Sequence, residues 1–252
     1  MLTKALKKEI ASLADVKGRR RSGLFMAEGT KCVLSTIESF QTERIIATEA
    51  WLASNPLHPG VEEKVITANR GEIGEISSMS LAPDVIAVYR QPEPLEFNPE
   101  KLEGQLVVAL DRVQDPGNLG TIMRTADWMG VTTILASQDT VDCYNPKAVQ
   151  ATMGAISRVG VVYGDLPSML SRLDMPVYGT FLDGENLYTA RLTAAGVVVM
   201  GNEGQGVSDQ VAATVTRRLL IPSYPPERPT SESLNVATAT AVVLAQFRSK
   251  LF

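Results

Sequence analysis

Three short stretches of this 252-residue chain hold the side chains best suited to chemistry. They are Asn118 and Arg124 in "DPGNLGTIMRTADW", Glu203 among Gly201, Gly204 and Gly206 in "VVVMGNEGQGVS", and Ser233 and Asn235 in "TSESLNVATA". Amide and hydroxyl donors, one guanidinium and one carboxylate can orient a hydroxyl group and stabilise developing negative charge. They cannot hold a metal. His58 is the single histidine, and Cys32 and Cys143 are the only cysteines, far apart in sequence. A histidine-based triad, a cysteine zinc site and a disulfide framework are therefore all disfavoured, and no metal is expected.

Each stretch sits where a strand or loop runs into a helix. A strand ends at Asp111, a Pro-Gly turn follows, and Asn118 fits the N-cap of the next helix. Arg124 lies among apolar Ile122, Met123 and Ala126, where a purely solvated charge is out of place. Glycine lets a backbone approach a ligand closely. The spacing G-N-E-G-Q-G is nevertheless not the dinucleotide fingerprint, and no Lys-Ser or Lys-Thr pair marks a phosphate loop. Ser233 fits the N-cap of the final helix, whereas Asn235, a poor helix former two residues later, needs another reason to be there.

The elements that position these residues alternate. "LTKALKKEIASLAD" has helical apolar spacing, and "GLFMAEG", "ERIIAT", "EKVITA" and "PDVIAVYR" read as strands around short helices. The stretch 90–104 has three prolines, several acids and no apolar period, and reads as a linker. After it come the strands "QLVVALD", "TTILAS", "GVVYGD", "PVYGTFL", "GVVVMG" and "RRLLIPS", separated by helical segments. Strands so uniformly apolar belong to a parallel sheet covered on both faces, a doubly wound pattern that places ligands at the carboxyl ends of its strands. The last helix, in "SLNVATATAVVLAQFRSKL", is apolar nearly all round and is expected to be buried on most sides.

Composition sets the outer limits. Hydrophobic residues make up 44% and charged residues 21%, ordinary for a globular protein. No apolar run exceeds about five residues, so no membrane span is expected, and the charged N-terminus does not read as a signal peptide. A cytoplasmic location is the expectation. The net charge is −4, yet residues 1–31 hold eight Lys or Arg against three acids. Lys17, Arg19, Arg20 and Arg21 form a local basic cluster suited to phosphate contact.

The three motifs, in this order, resemble the SpoU (TrmH-type) branch of the SPOUT RNA methyltransferases: N118-x-G-x-x-x-R124, then G201-N-E203-G-x-G206, then I221-P ahead of S233-L-N235-V. The N-terminal half resembles the small α/β, ribosomal-protein-like domain that many of these enzymes carry. The resemblance implies an RNA-binding domain over 1–95 and a SPOUT domain over 102–252, with a parallel sheet, helices on both faces and a C-terminal trefoil knot. It implies S-adenosylmethionine as cofactor, with Thr180, Gly201, Gly204, Ile221 and Leu234 lining its site. It further implies Arg124, Asn118, Glu203, Ser233 and Asn235 as the catalytic cluster, with Glu203 holding Arg124. The expected reaction is methyl transfer to a ribose 2′-hydroxyl by a homodimer, on ribosomal RNA ahead of transfer RNA. Two departures stand out: a long Pro-rich stretch between Pro222 and Ser233, and Asp84 where the family usually has glycine. Two readings compete: a protein of the same fold that binds RNA without methylating it, against which intact Asn118, Arg124, Glu203 and Asn235 argue, and a small-molecule enzyme with a doubly wound nucleotide-binding domain, which lacks a dinucleotide fingerprint and leaves the basic N-terminus unexplained.

Overall fold

The computed structural model describes residues 2–225 and 233–249. The chain divides into two compact units: residues 1–93 with 142–157, and residues 94–141 with 158–252.

The first unit is built on four strands, β1 (Leu24–Glu28), β2 (Thr42–Ala47), β3 (Val65–Thr67) and β4 (Val85–Arg90), in spatial order β1-β4-β2-β3. β4 runs antiparallel to both β1 and β2, and β2 and β3 are parallel. Helices α1 (Lys4–Ala11), α2 (Val16–Ser22), α3 (Thr30–Leu34), α4 (Glu49–Ser54), α5 (Pro59–Glu62) and α6 (Arg70–Gly74) surround this sheet. Successive strand residues face opposite sides. Met26, Ile46, Ile86 and Val88 pack with Ile10 and Leu13 on one side. Phe25 faces the other side, its ring 5.1 Å from Phe40 and 4.7 Å from Tyr144. Asp84, one of the departures noted above, accepts two 2.8 Å hydrogen bonds from Arg70. That guanidinium holds the Asp84 carboxyl below its usual range.

The second unit has six parallel strands: β5 (Leu106–Leu110), β6 (Thr133–Ser137), β7 (Gly160–Gly164), β8 (Val177–Asn186), β9 (Gly196–Met200) and β10 (Arg217–Leu220). Their spatial order is β10-β8-β9-β5-β6-β7. Between them run α7 (Pro116–Trp128), α8 (Pro146–Thr152, which packs with the first unit), α9 (Leu166–Ser171) and α10 (Asp209–Ala212). The chain ends with α11 (Val236–Arg248). Val107, Ala109, Val197 and Val199 pack with Leu166, Met169 and Val211 of α9 and α10. On the opposite face Tyr178 meets Phe247 of α11 edge-on, ring centres 5.0 Å apart. The parallel sheet with helices on both faces is the fold expected from the strand pattern. The trefoil knot is not described, because residues 226–232 of the proline-rich loop lie outside the described residues.

Strand order reverses between β5 and β9. From β5 the chain moves outward to β6 and β7; from β9 it moves the other way to β10. Such a reversal opens a crevice at the carboxyl ends of the two central strands. Leu110 and Met200 are register partners there, and the Asp111 amide donates to the Met200 carbonyl at 2.9 Å. The loops carrying the first two motifs therefore leave the sheet side by side.

Candidate functional site

Helix α7 starts earlier than the sequence suggests. Asp115, not Asn118, is its N-cap: the Asp115 side chain accepts the Asn118 amide at 2.9 Å, and Pro116 occupies the first helical position. Proline suits that position because its missing N–H would find no intrahelical partner there. Asn118 is thereby freed from capping, and its side chain points to function instead. Its Nδ2 donates to Glu203 Oε1 at 2.5 Å, and its Oδ1 accepts from Asn235 Nδ2 at 2.9 Å. Residues 85 and 117 positions away in sequence thus meet at one amide.

The second cap is also reassigned. Asn235, rather than Ser233, caps α11, its Oδ1 accepting from the amides of Ala237 and Thr238. One oxygen secures the helix while the amide nitrogen reaches Asn118, which accounts for an asparagine at this place. Ser233 is exposed just ahead of it.

Glu203 does not hold Arg124. Its carboxylate is engaged by Asn118, and Arg124, exposed on α7, makes no hydrogen bond or ion pair among the described residues. Arg124 is exposed on the same helix as Asn118, nearly two turns further along it.

The glycine loop owes its shape partly to itself. Asn202 and Gly206 exchange two backbone hydrogen bonds, of 3.0 and 2.8 Å, and Asn202 Oδ1 accepts the Gly204 and Gln205 amides. A Cβ on Gly201 would lie 2.3 Å from the Gly206 carbonyl carbon, so only glycine lets the loop close. Gly204 differs: a Cβ there would meet only Asn202 Oδ1, at 3.7 Å. Among the described residues no atom forbids a side chain at 204.

The remaining residues expected to line the cofactor fall at or just after the end of a strand or of its pairing, save Leu234. Gly179 of β8 is level with Val199 of β9, which sets Thr180 beside Met200 and Gly201. On the other side β10 pairs with β8 at Gly179 and resumes only at Glu185, leaving 180–184 looped out of the ladder. Such a bulge re-aims side chains next to a site. Ile221 follows directly on β10, and Leu234 is 48% exposed, unusually open for leucine. This set fits a cofactor held by backbone groups and apolar contact. No group of His, Cys, Asp or Glu among the described residues could hold a metal ion.

Residues 105–245 match the model of the SpoU rRNA Methylase family. The chain belongs to that family. Residues 6–87 match the MRM3-like substrate binding domain. The chain is 29% identical, over 96% of its length and 95% of the relative's, to a Bacillus subtilis protein named 23S rRNA (guanosine(2553)-2′-O)-methyltransferase RlmP. Two solved structures share the fold over nearly their whole length. A TrmH-family protein from Porphyromonas gingivalis superposes with a TM-score of 0.87 at 35% identity, covering 99% of both chains. The AdoMet-bound rRNA methyltransferase from Sinorhizobium meliloti superposes at 0.83 and 29%, covering 100% of this chain and 97% of the other. With SpoU membership comes the chemistry, the S-adenosylmethionine-dependent methylation of a ribose 2′-hydroxyl in RNA.

The basic cluster of the N-terminal unit divides in two. Lys17, Arg20 and Arg21 are exposed on α2, but Arg19 is only 2% exposed. Its Nε and Nη2 donate to Asp142 Oδ2 at 2.9 and 2.7 Å, and its Nη1 donates to the carbonyls of Leu13 and Ala14. Arg19 is therefore withdrawn from the RNA-contacting set, because its guanidinium is spent on the protein's own oxygens. Sequence reading also missed α2 itself, whose close packing depends on Gly18: a Cβ there would lie 1.9 Å from the Ser12 carbonyl oxygen.

Proposed function

We propose that this protein methylates ribosomal RNA in the cytoplasm, and that the Glu203–Asn118–Asn235 chain and Arg124 form its catalytic cluster. The observation carrying this reading is the hydrogen-bonded chain across three motifs at the point where strand order reverses, with an exposed cation two turns along α7. The full-length similarity to a protein named as a 23S rRNA methyltransferase supports ribosomal RNA ahead of transfer RNA.

S-adenosylmethionine supplies an electrophilic sulfonium methyl group. The chain's own residues must position the 2′-hydroxyl in line with it and receive the hydroxyl proton as the O–CH₃ bond forms. Arg124 can donate hydrogen bonds but has no acceptor to take the hydroxyl proton. Its part is to orient the ribose or its phosphate and to stabilise developing oxyanion character. Within the cluster, the capacity to accept a proton lies on the Glu203 carboxylate. Asn118 couples that carboxylate to Asn235, and exposed Ser233 adds a donor at the mouth of α11. Thr180, Gly201, Gly204, Ile221 and Leu234 line the cofactor side.

Lys17, Arg20 and Arg21 are assigned to RNA backbone contact. A homodimer is proposed from Trp128, which is 85% exposed on α7, one helical turn beyond Arg124. A partner covering that indole would border the catalytic cluster. Mapping 2′-O-methylated positions in cellular RNA with and without the gene tests the substrate: a missing ribosomal site is expected, and a missing transfer-RNA site alone would replace this reading. Sedimentation tests the dimer; a fully active monomer at micromolar concentration would remove it.

A further inference from the structure

Arg112, which no motif includes, has the least comfortable backbone near the cofactor loop. Its φ is +59°, in the left-handed region that favours glycine. Strain of this kind persists where the surroundings hold it and often marks a functional position. Here the surroundings are specific. The Arg112 amide donates to Ser137 Oγ at 2.9 Å, and its carbonyl accepts from Asn202 Nδ2 at 2.9 Å. Its Nη1 donates to Gln205 Oε1 at 2.8 Å, and its Nε lies 3.5 Å from Asp111 Oδ1. Buried Asp111 accepts the Ser208 amide at 2.6 Å through its other oxygen.

Two consecutive residues at the end of β5 thus grip the glycine loop at Asn202, Gln205 and Ser208. Glu203 and Gly204 lie between the first two grips. We propose that Arg112 is a positioning residue for this loop. Through Gln205 it holds the backbone that lines the cofactor and aligns Glu203 with Asn118, while touching neither reactant. The inference rests on the assignment of Gly201–Gly206 to the cofactor. It explains why a long side chain occupies a backbone position better suited to glycine.

The side chain borders an open cavity of about 310 Å³, shared with Gln138, Asp139, Asp165 and Gln210, so shortening it admits solvent and leaves no void in the core. Arg112→Gly separates the two roles, because glycine relieves the backbone while removing the grip. Expected are an unchanged or higher Tm, and faster amide exchange over residues 202–208 in the cofactor-free protein. S-adenosylmethionine should bind about tenfold more weakly by calorimetry, the scale of one lost charge-assisted hydrogen bond. Gln205→Ala should reproduce the loss, the double variant should add little to it, and Arg112→Lys, which keeps a donor, should recover part of it. Wild-type affinity and exchange in Arg112→Gly would overturn the proposal. So would a drop in Tm with unchanged affinity, which would make Arg112 merely structural. Failure of the wild-type protein itself to bind S-adenosylmethionine would instead bring down the assignment of the loop, and the inference with it.

Discussion

The loop at 201–208 and the helix at 16–22 are both short, polar and glycine-containing, yet they spend their polar groups in opposite ways. In the loop, Asn202, Gln205 and Ser208 are bonded to Asp111 or Arg112, and Glu203 is bonded to Asn118. Of the helix's four cations, only Arg19 is bonded to protein oxygens among the described residues, while Lys17, Arg20 and Arg21 are exposed. The contrast fits the roles proposed for the two segments. Methyl transfer depends on alignment, and small misplacements cost rate. Attraction to a polyanion depends on charge near phosphates and tolerates mobile side chains.

The catalytic side of this contrast breaks most visibly at Arg124. Arg124→Ala should slow single-turnover methyl transfer by about 10²- to 10³-fold, the scale for one preorganised charge-stabilising donor. Tm and cofactor affinity should hold, because the side chain is exposed and lies outside the glycine loop. Arg124→Lys should fail as well, since a point charge does not reproduce the planar fork. Near-normal rates in either variant would remove Arg124 from the cluster.

The cationic side should respond differently. Replacing Lys17, Arg20 and Arg21 together by glutamine should lower the slope of log affinity for RNA against log salt by about 2. Cofactor binding should not change. An unaltered salt slope would place the RNA path elsewhere.

A smaller effect probes the chain of amides. Asn235→Ser keeps an N-cap for α11 but loses the bond to Asn118 Oδ1. Stability should stay close to wild type while the rate of methyl transfer falls about tenfold, the scale of a hydrogen bond at a site where geometry sets the rate. A matching loss of Tm and rate would mean that Asn235 serves only as a cap.

The same contrast explains what could be read in advance. Six uniformly apolar strands could only form a covered parallel sheet, and the glycine, asparagine and arginine spacings carried the family. The caps were misplaced because Asp115-Pro116 looked like part of a turn, and because Ser233 and Asn235 offer the same capping chemistry two residues apart. Hydrogen-bond partners separated by 85 or 117 residues leave no local trace. Nor does the burial of one arginine in a run of three. The helix in "PKAVQATMGAISR" was legible as a helix, but its membership of the N-terminal unit was not. A cut near residue 95, which the linker suggests would free an intact catalytic domain, also strips 142–157 of the unit it packs with. Local periodicity reports which face of a helix is apolar, not which domain covers it.

Segment 142–157 also supplies the finest test of how Arg19 differs from its neighbours. Cys32 is buried beneath it, with Sγ 3.8 Å from the Val149 carbonyl oxygen, and burial pushes its thiol up to about 11. The thiolate is the reactive form, so at about pH 8 Cys32 should resist alkylation until the segment opens and both burial and the raised pKa are lost. Arg19 closes that segment by bonding Asp142. Because Asp142 is partly exposed and can be hydrated, the pair is worth about 1 kcal/mol rather than the value of a fully buried one. Arg19→Met keeps the apolar stem, removes the bonds, and should speed Cys32 labelling about fivefold, the equivalent of that energy. Lys17→Met, Arg20→Met and Arg21→Met should leave the labelling rate alone. Peptide mass mapping of alkylated Cys32 over time separates the four variants. Equal rates in all of them would mean that Arg19 does no more to seat the segment than its solvated neighbours.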